Sequence, residues 1–366
     1  MESPNQNARK VGYTIDLLEN CMTFQVRIEN SQHHFTVESG ETILDAALHQ
    51  GISLPYGCRN GACGSCVATL LAGRVQYPHG EPDALADQDA SDQIIICQAH
   101  PQSDLVISTR EIEAGQSTTV KILPCRAEHI KHLSHDVMQI HLKLPDTERL
   151  QFFAGQYIEF ILKDGRRRAF SIANAPHHDE HLELHVRHVP GGSFTGHVFD
   201  EMKDRALLRI EGPLGSFYLR EQSPRPILMM AGGTGFAPLK GMLEHAFYIG
   251  FDRPIHLFWG VRSKRDLYMD DLPRQWQEQH PDFEYTPVLS EPQAQDQWQH
   301  ATGLVHEILM ARYPDLSDFN IYMSGPPPMI EAATRAFDRQ GAQADHMYSD
   351  AFEFASDVLD KIKQNG

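Results

Sequence analysis

Four cysteines constrain this chain more than any other feature: Cys58-x4-Cys63-x2-Cys66, with Cys97 standing alone about thirty residues further on. This is the spacing of a plant-type [2Fe–2S] ligand set, in which each iron takes two protein thiolates besides the bridging sulfides. Gly57, Gly61 and Gly64 interleave the cysteines and let the backbone fold tightly with its N–H groups turned toward sulfur. A structural zinc site with four cysteines is the competing reading, but such sites pair two short knuckles, and here one ligand stands apart. Cys21 and Cys125 fit no ligand pattern and read as free thiols.

A cluster needs a compact carrier, and the surrounding pattern supplies one. Residues 23–37 alternate as a hairpin about Asn30-Ser31-Gln32. Thr42 reads as the N-cap of a short helix over ILDAALHQ, closed by Gly51. VATLLAGRVQY, IIICQAH and DLVISTREI then read as strands, giving a β-grasp unit over 22–112. Residues 1–21 precede the first strand and are expected to be dispensable, with Met22 itself a possible start codon. The small, polar stretch 113–118 reads as a linker.

Short strands with Pro and Gly punctuation fill 119–222, the pattern of an antiparallel barrel or sandwich. From 223 to the end, apolar strands alternate with helices, the mark of a parallel α/β sheet. Two loops in these regions suit phosphate. Gly191-Gly192-Ser193-Phe194-Thr195 opens a helix, where backbone N–H groups, the Thr195 hydroxyl and the positive helix end favour an anion. Ala231-Gly232-Gly233-Thr234-Gly235-Phe236-Ala237-Pro238 joins a strand to a helix. It is neither the spaced GxGxxG fingerprint nor a P-loop, which would require Lys-Ser/Thr after the glycines.

Taken in order, these motifs resemble the ferredoxin–NADP reductase superfamily over residues 22 to about 360. The resemblance implies a multidomain α/β protein of three parts: a [2Fe–2S] β-grasp domain, an antiparallel FAD barrel (119–222) and a parallel-sheet NAD(P)H domain (223–366). It implies that Arg168 contacts the FAD pyrophosphate, Phe170 packs on the flavin and Ser171 bonds near flavin N5. Gly191, Gly192, Ser193 and Thr195 would complete the FAD site. Gly232, Gly233, Thr234, Gly235 and Pro238 would cradle the NAD(P)H pyrophosphate, with WGVRSKRDLY on the adenosine. SGPPPMI resembles the loop beneath the nicotinamide, which supplies Gly325, Pro326, Pro327 and Met329. Ser324 stands where that loop usually has cysteine, and Phe352 would cover the flavin face. Ser171, Ser324 and Phe352 are therefore the expected catalytic positions.

The whole-chain pattern is most similar to the ferredoxin-first branch, which holds the CDP-6-deoxy-3,4-glucoseen reductases and the reductase components of phenol and aromatic oxygenases. YGCRNGACGSC, RHVPGGSFTGHVF and TPVLSE look most like the former. The implied activity is hydride transfer from NADH or NADPH to FAD, then single electrons through the cluster to a protein acceptor, a dehydrase or an oxygenase component. A non-catalytic electron-transfer subunit and a free-flavin reductase are the rivals. Intact GGTGFAP and GPPPM oppose the first, and the cluster opposes the second. Lys264 and Arg265 offer a site for a 2′-phosphate, although NADH is the expected donor.

A formal charge of −17 argues against nucleic acid, whose affinity comes from Lys/Arg on phosphate. No apolar run is long enough for a membrane span or a secretory leader, so a cytoplasmic protein is expected. Residues 1–112 hold 6 Lys/Arg against 14 Asp/Glu, with Glu81, Asp83, Asp87, Asp89 and Asp92 crowded before Cys97. Such a run reads as a solvated face or as a guide for a basic acceptor. His129, His132 and His135 fall in an expected strand, where their spacing alternates faces and disfavours a metal.

Overall fold

The computed structural model describes residues 22–29, 31, 33–52, 54–57, 59–62, 64–85, 92–109 and 119–352. The N-terminal 21 residues, Asn30, Gln32, Cys58, Cys63, Asp87, Asp89 and the 113–118 linker lie outside the described residues.

In the first unit β1 (Thr23–Ile28) pairs antiparallel with β2 (His34–Glu38), as the alternation requires. The helix α1 (Ile43–His49) starts where the Thr42 hydroxyl accepts the Asp45 N–H at 3.1 Å. Its apolar face buries Ile43 and Leu44 completely, each worth roughly 1.5–3 kcal/mol. The strands β3 (Val67–Ala72), β5 (Gln93–Ile95) and β7 (Leu105–Ser108) complete a five-stranded sheet ordered β2-β1-β7-β3-β5, with β1 and β7 parallel. A small ladder joins β4 (Val75–Gln76) to β6 (His100–Pro101).

The second unit is a single antiparallel sheet rolled on itself. It contains β8 (Lys121–His132), β9 (Val137–Lys143), β10 (Tyr157–Ile161), β11 (Arg167–Ser171), β12 (Leu182–Arg187) and β13 (Leu207–Leu214) in the order β11-β10-β13-β8-β9-β12. A bridge between Ile172 and Leu184 joins the two edges, so the sheet closes as a barrel and leaves few unpaired backbone groups. The helix α2 (Ser193–Asp200) drops Phe194 and Val198 into its core.

The third unit has six parallel strands: β14 (Ile227–Gly232), β15 (Ile255–Val261), β16 (Phe283–Leu289), β17 (Ala301–Thr302), β18 (Asn320–Gly325) and β19 (Met347–Ala351). Helices α3 (Phe236–Tyr248), α4 (Asp271–Gln279), α5 (Val305–Arg312) and α6 (Pro327–Asp338) cover it. Every residue of β14 is buried because both faces are covered: Ile227, Met229 and Ala231 join one core, while Leu228 and Met230 join another. The order β17-β16-β15-β14-β18-β19 reverses direction at β14. In such sheets the ligand crevice opens beyond the carboxyl ends at the reversal, here between Gly232 and Gly325.

A buried ionic knot ties this unit to the barrel. Lys240 of α3 is 4% exposed; its Nζ donates to the Ala173 carbonyl and to Glu183, both at 3.1 Å, and pairs with Glu244 at 2.8 Å. Burial opposes charge on Glu183, yet the His185 hydrogen bond and the Lys240 charge outweigh it and hold that carboxyl far below the usual range. His185 in turn meets the Tyr268 hydroxyl at 3.0 Å. Breaking one partner of such a buried set leaves an uncompensated charge.

Candidate functional site

A cleft of about 680 Å³ opens where the three units meet, and β11 forms one wall. Arg168, Ala169, Phe170 and Ser171 line it, with Gly192, Ser193 and Thr195 at the start of α2. Phe170 is half-buried and leans on Phe160 and Phe194, with ring centroids 5.7 and 5.5 Å away, so it belongs partly to the barrel core. Gly192 caps α2 without a side chain, and the Val189 N–H donates to Thr195 Oγ1 at 3.1 Å. A Cβ on Gly192 would stand 2.6 Å from that oxygen, so this helix end keeps an open backbone cradle for phosphate.

Ser171 is held from the far end of the chain. Its Oγ donates to Asp350 Oδ2 at 2.9 Å. Asp350 sits on β19, and burial pushes its carboxyl up to about 6 even though the Ser171 hydrogen bond pulls it down. Phe352 lines the same cleft, and its N–H donates to the Gly325 carbonyl at 2.8 Å. Sequence reasoning named Phe352 and missed Asp350. The available signal was an acid inside MYSDA, a segment of strand length that becomes β19.

The crevice between β14 and β18 forms part of a second, larger cleft of about 2140 Å³, lined by Gly232, Gly233, Arg262, Ser263, Arg265, Pro326, Pro327 and Met329. Gly233 has φ +56°, and a Cβ there would meet Arg187 Nη1 at 2.4 Å. Trp259 Nε1 donates to the Gly233 carbonyl at 2.9 Å while its indole stacks on Phe236 at 4.1 Å. Thr234 and Pro326 face the flavin-side cleft. Gly191, Gly235, Pro238, Ser324 and Gly325 line neither cleft. Gly235 is fixed by packing: its Cβ would lie 2.0 Å from the Ser324 carbonyl oxygen. Ser324 is fully buried and level with Ala231 and Asp350 across the sheet; its Oγ has no partner among the described residues.

On the cluster side, Cys66 and Cys97 are both buried. The Ile96 N–H donates to the Cys66 carbonyl at 3.2 Å, which brings the two segments side by side. Gln98 Nε2 donates to the Arg59 carbonyl at 2.8 Å, fastening the cysteine loop to the Cys97 turn. Cys97 also lines the flavin-side cleft. Two buried soft sulfur donors in one apolar cluster fit an iron–sulfur cluster; Cys58 and Cys63 lie outside the described residues. Cys125 is unlike them: it sits in the barrel core, where burial pushes its thiol up to about 12.

His129 and His132 lie on β8, but His135 falls in the loop beyond it. Its ring approaches Asp136 at 3.8 Å and Asp266 at 3.7 Å. Arg187 already occupies Asp136 at 2.7 Å, and Ser263 occupies Asp266 at 2.9 Å.

Known families match three successive segments of the chain. Residues 26–102 match the 2Fe-2S iron-sulfur cluster binding domain, 124–218 the oxidoreductase FAD-binding domain and 229–335 the oxidoreductase NAD-binding domain. CDP-6-deoxy-L-threo-D-glycero-4-hexulose-3-dehydrase reductase of Yersinia pestis is 39% identical over 90% of this chain and 99% of its own length. Terephthalate 1,2-dioxygenase reductase component 2 of Comamonas sp. is 34% identical over 90% and 98%. Among solved structures, the cytochrome P450 reductase GcoB of Amycolatopsis superposes with a TM-score of 0.75 at 31% identity, covering 91% of this chain and all of that one. No helix among the described residues is long and apolar enough to cross a membrane. With its cluster-binding domain ahead of the flavin barrel and the nicotinamide sheet, the chain belongs to the iron–sulfur flavoprotein reductases of the ferredoxin–NADP reductase superfamily, and it is an NAD(P)H-dependent oxidoreductase.

Proposed function

We propose that this reductase draws a hydride from NADH and delivers single electrons through Cys58, Cys63, Cys66 and Cys97 to a CDP-deoxysugar dehydrase in the cytoplasm. One observation carries the reading: a single cleft is lined by Cys97, by Arg168 to Ser171, and by Thr234, Pro326 and Phe352. When bound, FAD exchanges two electrons with nicotinamide and one with iron, which is the conversion such a junction requires. The units proposed are 22–112, 119–222 and 223–366, supported by three main sheets that share no strand. An oxygenase component is the alternative acceptor, because relatives of both kinds cover the chain almost fully.

The residues take distinct parts. Arg168 supplies charge for pyrophosphate, the positive start of α2 at Gly191, Gly192 and Ser193 receives it, and Thr195 orders that turn. Phe170 and Phe352 exclude water from the flavin faces. Ser171 orients its hydroxyl at the reacting edge, and Asp350 can hold a proton for it because its carboxyl titrates near 6. Gly232, Gly233 and Thr234 admit the dinucleotide backbone, with Gly235 and Pro238 fixing the turn. Pro326, Pro327 and Met329 shape the nicotinamide floor, with Gly325 and the buried Ser324 packed behind it. Glu291 and Asp296 stand in the same cleft as Arg262 and Arg265, so carboxylates offset the two cations that a 2′-phosphate would need.

Replacing Cys97 by Ala tests the route. Three thiolates remain for a centre that wants four, so iron content falls, while the separate flavin unit keeps FAD. NADH still bleaches the flavin and ferricyanide is still reduced, but cytochrome c reduction collapses. Retained iron–sulfur bands with normal cytochrome reduction would remove Cys97 from the route.

A further inference from the structure

The first unit is gripped by the barrel beside its cysteine loop. Tyr157 of β10 is 6% exposed and sends its hydroxyl across to the Gly57 carbonyl at 2.8 Å, one residue before Cys58. Gly215 lies against the Tyr157 ring, where an added Cβ would come within 2.8 Å. Next to this bond the Ser216 N–H donates to the Tyr56 carbonyl at 3.1 Å, and the Tyr56 N–H donates to Ser216 Oγ at 2.9 Å. Beyond the cysteine, Arg59 pairs with Asp45 of α1 at 2.5 Å. Burial holds the Tyr157 phenol well above its ordinary value, so the group stays a donor across the working pH range.

The same tyrosine is in register with Ser171 on the neighbouring strand. One end of this residue therefore touches the cysteine loop, and its backbone aligns with the flavin wall. Gly57, Arg59, Asn60 and Cys97 line the cleft opposite Arg168 to Ser171.

We infer that Tyr157, with Ser216, is a positioning residue for flavin-to-cluster electron transfer: it locks the cysteine loop at a fixed separation from the flavin wall. The inference rests on the electron route proposed above. The step served moves one electron from reduced FAD to the oxidised cluster, and no bond is made or broken at Tyr157. Electron transfer falls steeply with the separation of donor and acceptor, so a contact that fixes the separation governs the rate. A tether of four hydrogen bonds spanning two units, the fourth from Ser216 Oγ to the Tyr56 carbonyl at 2.8 Å, is placed to prevent that displacement.

The test uses the holoprotein with Tyr157→Phe and, from the other side of the junction, Ser216→Ala. Stopped-flow absorbance with NADH gives the ratio of cluster-reduction rate to flavin-bleaching rate. Photoreduction of the flavin without NADH reads the cluster step again, and hydrogen–deuterium exchange across 54–57 and 214–217 reads the junction without any turnover. For Tyr157→Phe the ratio falls about tenfold, cluster reduction becomes viscosity-dependent, and exchange at the junction accelerates while β8 and β9 stay protected. Ser216→Ala moves the same readouts by a smaller factor. Wild-type ratios and exchange in both variants would overturn the inference. Failure of NADH to bleach the wild-type flavin would overturn the electron donor instead, and the photoreduction and exchange arms would still decide the role of Tyr157.

Discussion

The barrel and the nicotinamide sheet face one cleft with different materials. β11 presents side chains, Arg168, Phe170 and Ser171, and the Ser171 hydroxyl is steadied by Asp350 from another unit. The end of β14 presents mainly backbone at Gly232 and Gly233, and behind it Gly235 and Gly325 leave no space for a Cβ. A site made of side chains weakens by the worth of each group removed. A site made of close backbone fails when one atom is added.

The sharpest way to break this comparison is Gly235→Ala. Its Cβ would sit 2.0 Å from the Ser324 oxygen and 2.4 Å from the Ser324 carbonyl carbon, both backbone atoms that cannot rotate away. Overpacking of this kind costs roughly 3 kcal/mol. Urea unfolding should show that loss, and NADH should no longer bleach the flavin, although the lost residue touches neither cleft. A wild-type midpoint would mean that the loop has slack.

Phe170→Ala tests the other material. Half the ring is already spent on Phe160 and Phe194, so the barrel should stay folded while FAD affinity falls about tenfold, near 1.4 kcal/mol. Flavin content after gel filtration in dilute buffer reads it. Full occupancy would move the flavin away from β11.

The smallest effect is expected at Asp350→Asn. Wild-type flavin bleaching should change a few-fold with an apparent pKa near 6, and the variant should be flat there. The stability sign follows from a folded carboxyl raised to about 6 from its ordinary 3.8. Its contribution is complete below the unfolded value and is lost as pH rises through 6. The difference between wild type and variant should therefore shrink as pH rises from 4 to 6, then stay level. A wild-type profile without inflection near 6 would detach Asp350 from Ser171 chemistry.

How much of this was legible in the sequence depends on what fixes each residue. Thr42 and the alternation of TFQVRIE act locally, and both the cap and the hairpin strands appear where local chemistry puts them. The α4 helix escaped notice because Pro273 reads as a breaker, whereas in the first turn it lacks only an N–H that would be unpaired anyway. Gly235 was legible as part of the phosphate loop, but its packing against β18 was not, because that contact comes from a distant strand. Asp350 and Tyr157 were invisible as site residues because their meaning lies in partners 179 and 100 positions away. His135 left the expected strand because β8 ends at His132.

The most direct test of the account is an anaerobic stopped-flow mixing of the wild-type holoprotein with NADH, followed at flavin and iron–sulfur wavelengths together. Flavin bleaching should come first and the cluster bands should bleach after it, each cluster taking one electron. A flavin that is fully reduced beside a cluster that stays oxidised would contradict the route through Cys97.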